Sequence, residues 1–189
     1  MPLSAPAPRE PLHARHVECR GYRRDDGLWE VEGHLTDVKT YAFRNDFRGE
    51  IMPGTPLHDM WMRLTLDDRL VVQAVEAVTE ASPYAVCPDI TPNFQRLTGL
   101  SLRPGFQKRV RELLGGTAGC THLVELLGPM ATTAYQTIFP YRERQRREQT
   151  RSESPKAPRR KPRLIDSCHA FASDGDVVKR FWPEFYSGS

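Results

Sequence analysis

The stretch that most constrains the fold is Asp25-Asp26-Gly27, which lies between two runs of extended-chain character. Val17 to Arg24 reads as a short strand. Leu28 to Val38 then alternates, with Trp29, Val31 and Gly33 on one side and Glu30, Glu32 and His34 on the other. A period of two sets one group against a core and the other toward water. Gly27 is free to take the positive φ of a tight connection, so the two runs read as a hairpin. Farther on, Met60, Met62, Leu64 and Leu66 alternate with Trp61, Arg63 and Thr65. Asp67-Asp68 makes a turn and Leu70 to Val78 returns, giving a second hairpin. The two hairpins pair most simply as an antiparallel sheet.

The rest of the chain reads as connections and helices. Arg44 to Pro56, with Gly49, Pro53 and Gly54, is expected to be a loop, and Ser82 to Arg103, with three prolines, irregular chain. Pro104 suits a first helical position, and Phe106, Val110, Leu113 and Leu114 recur at helical spacing until Gly115-Gly116 stops the helix. Thr121 is the expected N-cap of a second helix bearing Leu123, Leu126, Leu127, Met130 and Ala134, which Pro129 should kink or divide. Leu164 to Phe171 reads as a late strand, Asp174-Gly175 as a turn and Val177 to Phe181 as a short closing element. The expected fold is α+β: an antiparallel sheet of two hairpins plus a late strand, with two main helices packed on one face.

Charge is unevenly placed. The chain of 189 residues carries a net +3, but 142–163 holds ten Lys and Arg against three Asp and Glu, leaving 17 basic and 21 acidic residues elsewhere. That segment has no apolar residue except Ala157 and contains Pro155, Pro158 and Pro162. It cannot bury enough surface to offset its ordering entropy and reads as a basic disordered loop inserted in the domain. Its expected partner, if it has one, is weakly held nucleic acid or an acidic surface. Residues 1–12 read as a disordered tail, and 13–141 with 164–186 as one domain. The tail lacks the apolar core of a secretory signal, and no apolar run approaches the ~20 residues of a membrane span. Cys19, Cys87, Cys120 and Cys168 are widely spaced and read as free thiols, which with the missing signal suggests a cytoplasmic location and no membrane partner.

Reactive side chains gather around Gly115-Gly116-Thr117-Ala118-Gly119-Cys120-Thr121-His122. Unpaired amides and the positive end of a helix dipole converge at such a start. Gly116, Gly119 and Thr121 are the candidate ligand-binding positions, with a small anionic molecule as the expected ligand. Cys120 is the candidate nucleophile, His122 its base and Glu125, three residues on, the orienter. Cys120 and His122 stand only two apart and would diverge on a regular helix, so His58 or the Cys168-His169 pair must come to them. A mixed metal set of His58, Cys120, His122, Cys168 and His169 is a further reading, without the tight spacing that marks a strong metal motif. A third takes the turn as structural and the protein as an interaction module working through the basic segment. No Lys follows a G-x-x-x-x-G, which argues against nucleotide hydrolysis, and no interleaved aromatic and basic pattern marks RNA binding.

Several stretches together resemble the bacterial domain-of-unknown-function family 2889. They are Tyr22 to Trp29, Leu35 to Lys39, His58-Asp59-Met60, Gly119 to Leu123 with Glu125-Leu126-Leu127, Ala131 to Thr137, and Asp166 to Ala170. The resemblance runs from about His13 to Pro183 and implies no activity and no catalytic residue.

Overall fold

Both alternating pairs fold as hairpins. In the computed structural model, which describes residues 3–150, 161–162 and 164–188, β1 (His13–Arg23) pairs antiparallel with β2 (Trp29–Lys39) around Gly27. The stretch read as a loop contains a small ribbon, β3 (Phe43–Asn45) with β4 (Gly49–Ile51). β5 (Pro56–Leu66) and β6 (Val72–Ala81) come next, and the main sheet has the order β1-β2-β5-β6, antiparallel throughout. Residues 3–12 form neither helix nor strand and are exposed.

One face of the sheet carries the core. Trp29, Val31 and Leu35 of β2 and Met60, Met62, Leu64 and Leu66 of β5 are buried at alternate positions. Cys87–Leu97, expected to be irregular, is a 3-10 helical segment that buries Phe94 and Leu97. It is tied to the sheet by the Gln95 side-chain amide, which donates to the Val75 carbonyl at 2.5 Å. α1 (Phe106–Leu114) adds Phe106, Val110 and Leu114 to the same cluster, beginning two residues after Pro104.

α2 (Thr121–Thr150) runs undivided through Pro129 and Pro140. An interior proline costs about 3 kcal/mol. Leu126, Leu127, Met130, Ala134 and Ile138 are all fully buried on this helix. Each larger one contributes about 1.5–3 kcal/mol, which outweighs the missing donor. α2 lies on the sheet where side chains have been removed: a Cβ on Gly33 would stand 2.7 Å from the Met130 sulfur, and one on Gly21 would overlap Thr137. At its far end Tyr141 packs edge-on against Trp29, with centroids 5.4 Å apart.

The chain divides into two compact units, Met1–Gln145 and Arg146–Ser189, so the expected domain of 13–141 with 164–186 draws on both. Of the segment expected to be a disordered loop, 142–150 continues α2 as helix, while 151–160 and 163 lie outside the described residues. The second unit contains α3 (Asp176–Phe181), the expected closing element. The expected late strand is not formed. Asp166 has a φ of 64°, its amide donates to the Phe171 carbonyl, and its carboxylate accepts the Ser173 amide, so the chain turns back on itself. Residues His169–Phe171 then form a 3-10 turn. Among the described residues no helix is long and apolar enough to cross a membrane. The four cysteines are unpaired.

Candidate functional site

The inward-facing set of β2 ends on a charge. Following Trp29, Val31, Gly33 and Leu35 in steps of two leads to Asp37, which is 1% exposed. The inward set of β5 likewise ends on a polar residue, His58, beyond Met60. Register places Arg15 of β1 opposite Asp37 and Asp37 opposite His58. Three neighbouring strands therefore present Arg15, Asp37 and His58 as one cross-strand row at the same end of the core face.

Asp37 is held from both sides. The Arg15 guanidinium donates to its two oxygens at 2.8 Å each, the His13 ring reaches Oδ1 at 3.1 Å, and His58 Nδ1 lies 3.0 Å from Oδ2. Burial works to raise the Asp37 carboxyl, but the hydrogen bonds and charge of Arg15 prevail and hold it below its ordinary range. The bond from His58 Nδ1 to a carboxylate puts the proton on that nitrogen and leaves Nε2 with a lone pair. Burial, and then the neighbouring His122, push His58 below the usual imidazole value.

The start of α2 completes the cluster. The His122 ring lies against His58 with centroids 3.7 Å apart and planes 31° from parallel. Its Nε2 is 3.8 Å from Asp37 Oδ2, and its Nδ1 is 3.9 Å from the Cys120 sulfur. Burial, with the Arg15 charge, also lowers His122. Cys120 rather than Thr121 caps the helix: its carbonyl accepts the Val124 amide at 2.9 Å, and Thr121 is the first helical residue. Because the cap lies outside the regular helix, a thiol and an imidazole two residues apart can meet.

The glycines ahead of the cap have conformational reasons of their own. Gly116 has a φ of 59°, and a Cβ on Gly119 would collide with the Leu114 carbonyl. They form the joint that lets α2 begin directly after α1. Glu125 does not touch His122 by hydrogen bond; its carboxylate pairs with Arg15 instead. The group standing behind the imidazoles is Asp37.

Of the residues singled out by sequence, His58, His122 and Cys120 come together, with Glu125 joined through Arg15. Cys168 is exposed and His169 opens the 3-10 turn, both in the second unit. Asp37 and Arg15 are absent from the residues that sequence reasoning selects. Extending the Trp29-Val31-Gly33 alternation by two more steps puts Asp37 on the core side, and that conflict of charge with pattern is the signal that could have found it.

The profile of a protein family of unknown function, DUF2889, matches residues 13–136. The match includes Arg15, Asp37, His58, Cys120, His122 and Glu125, and leaves the Asp166 to Ala170 stretch outside. No curated protein and no solved structure matches the chain.

Proposed function

The chain belongs to the DUF2889 family, and from that premise we propose that it transforms a small electrophilic molecule at a thiol–imidazole–carboxylate centre. The observation that carries this reading is the order of contacts through His122, with the Cys120 sulfur at 3.9 Å on Nδ1 and the Asp37 oxygen at 3.8 Å on Nε2. A nucleophile, a base and an oriented carboxylate in series is the arrangement that activates a thiol. Both separations are loose, as such contacts are before a substrate draws them in.

In the proposed step the Cys120 proton passes to His122 Nδ1 while the sulfur bonds to a carbonyl carbon, whose C=O π pair moves onto the oxygen. The imidazolium formed is stabilised by Asp37, already anionic and held by Arg15. A neutral carbonyl group suits this centre better than an anion, since Asp37 and Glu125 together outweigh Arg15 in charge.

The test is the iodoacetamide alkylation rate of each cysteine, resolved by mass spectrometry. Cys120 should react faster than exposed Cys168 and should slow by about tenfold or more in His122→Gln, with Asp37→Asn intermediate. Cys168 should be unaffected by either change. A Cys120 rate indifferent to His122→Gln overturns the reading.

A further inference from the structure

We propose that Asp37, His58 and His122 hold a single divalent transition-metal ion. The proposal goes beyond the thiol reading and stands even if Cys120 proves inert. Its first support is geometric. Each of the three residues offers one donor atom, and the three atoms lie within 4.8 Å of one another. Ligands at about 2.1 Å from a shared ion stand about 3.0–3.4 Å apart. Asp37 Oδ2 and His58 Nδ1 already meet that spacing at 3.0 Å. His122 Nε2 stands 3.8 Å from Asp37 Oδ2, about 0.4 Å outside that range.

The second support is charge. Asp37 and Glu125 are opposed by one guanidinium, that of Arg15. The cluster thus carries a net negative charge that a cation would neutralise. A third support is the shell around the carboxylate. Arg15 of β1 donates to both Asp37 oxygens and His13 reaches Oδ1, the kind of outer support that orients a ligating group. His122 is about a quarter exposed, which leaves a route of entry.

Two imidazoles and one carboxylate select a borderline ion such as zinc or ferrous iron over magnesium or calcium, which prefer all-oxygen sites. The ion would take the His58 Nδ1 lone pair, with the ring proton moved to Nε2, so the imidazole stays neutral and its ligation releases no net proton. With His122 Nε2 ligated, that ring ceases to be a free base for the neighbouring thiol.

The experiment adds zinc to the chelator-treated full chain and reads stoichiometry and thermal midpoint. The expected result is one equivalent bound, a raised midpoint and no shift with magnesium. His122→Gln, at a partly exposed helix start, should remove stoichiometric uptake while circular dichroism stays native. Arg15→Gln should weaken uptake by about 10–100-fold. A folded wild type that takes up no stoichiometric zinc overturns the proposal, as does undiminished uptake by a folded His122→Gln chain, which would trace it to surface imidazoles or thiols. Cys120 alkylation measured alongside separates the two readings: zinc uptake with a His122-indifferent thiol sinks only the nucleophile, and the converse sinks only the ion.

Discussion

Asp37 occupies a position that Val or Leu would fill without any hydrogen-bonding demand. Removing a carboxylate from water costs several kcal/mol unless a partner offsets it, and here Arg15, His13 and His58 together supply that partner. The same burial acts in the opposite sense on the imidazoles. His58 and His122 are both held below their ordinary value in the fold, chiefly by loss of water, whereas in the unfolded chain they titrate near about 6.5. Below that pH the unfolded chain binds more protons than the native one, so acidification favours unfolding. The stabilisation is complete above the unfolded value and is lost as pH falls toward the folded ones. With chelator present, the thermal midpoint should therefore decline from neutrality into the mildly acid range, and His122→Gln should flatten part of that slope. A midpoint constant over this interval would contradict neutral burial of the pair. His58 and His122 are legible in the sequence because they flank turns and helix starts. Asp37 is harder to pick out, because a charge near a strand end ordinarily faces water.

At the level of elements, the site exists because α2 approaches the sheet closely enough to lay His122 on His58. Gly33 and Gly21 make that approach possible, but their neighbours differ. The atom nearest a Cβ at Gly33 is the mobile Met130 sulfur, at 2.7 Å, whereas at Gly21 it is the branched Thr137, whose own Cβ would lie 2.8 Å away. Threonine has little rotamer freedom with which to yield. Gly21→Ala should therefore destabilise by about 1–3 kcal/mol, more than the ~0.5–1 kcal/mol recovered by replacing a strand glycine. Gly33→Ala should stay near neutral as Met130 swings aside. Urea midpoints at equal slope would distinguish them, and equal effects would mean that the helix rather than the side chain gives way. The hairpins are readable because alternation survives at Trp29-Val31 and Met60-Met62-Leu64. The late strand fails because Leu164 to Phe171 has apolar content but no partner, and the left-handed Asp166 turns it. Of the two outcomes expected at Pro129, division does not occur: the buried face of α2 carries the helix through it.

Across the whole molecule, the core and the charge have different addresses. The contiguous buried cluster runs from Trp29 to Ile138, entirely within the first compact unit, and the family match ends at residue 136. Every member of the candidate site lies inside the same span. Met1–Gln145 holds 17 basic and 18 acidic residues, against 27 and 24 in the full chain, so the basic character belongs to Arg146–Ser189. A domain's stability resides in its own core, and linkers with few apolar residues add little to it. A chain ending at Gln145 should therefore unfold in one cooperative step and keep the near-ultraviolet signal of buried Trp29. Its net charge should fall from +3 to −1, and it should lose retention on a cation-exchange resin at neutral pH. It should also keep whatever zinc uptake and Cys120 reactivity the full chain has, because none of the contacts that build the Asp37 row comes from beyond residue 125. Broad, non-cooperative melting of the shortened chain would show that Arg146–Ser189 contributes to the core after all. Loss of site chemistry with cooperative melting intact would instead place part of the working centre in the second unit, where Cys168 and His169 reside.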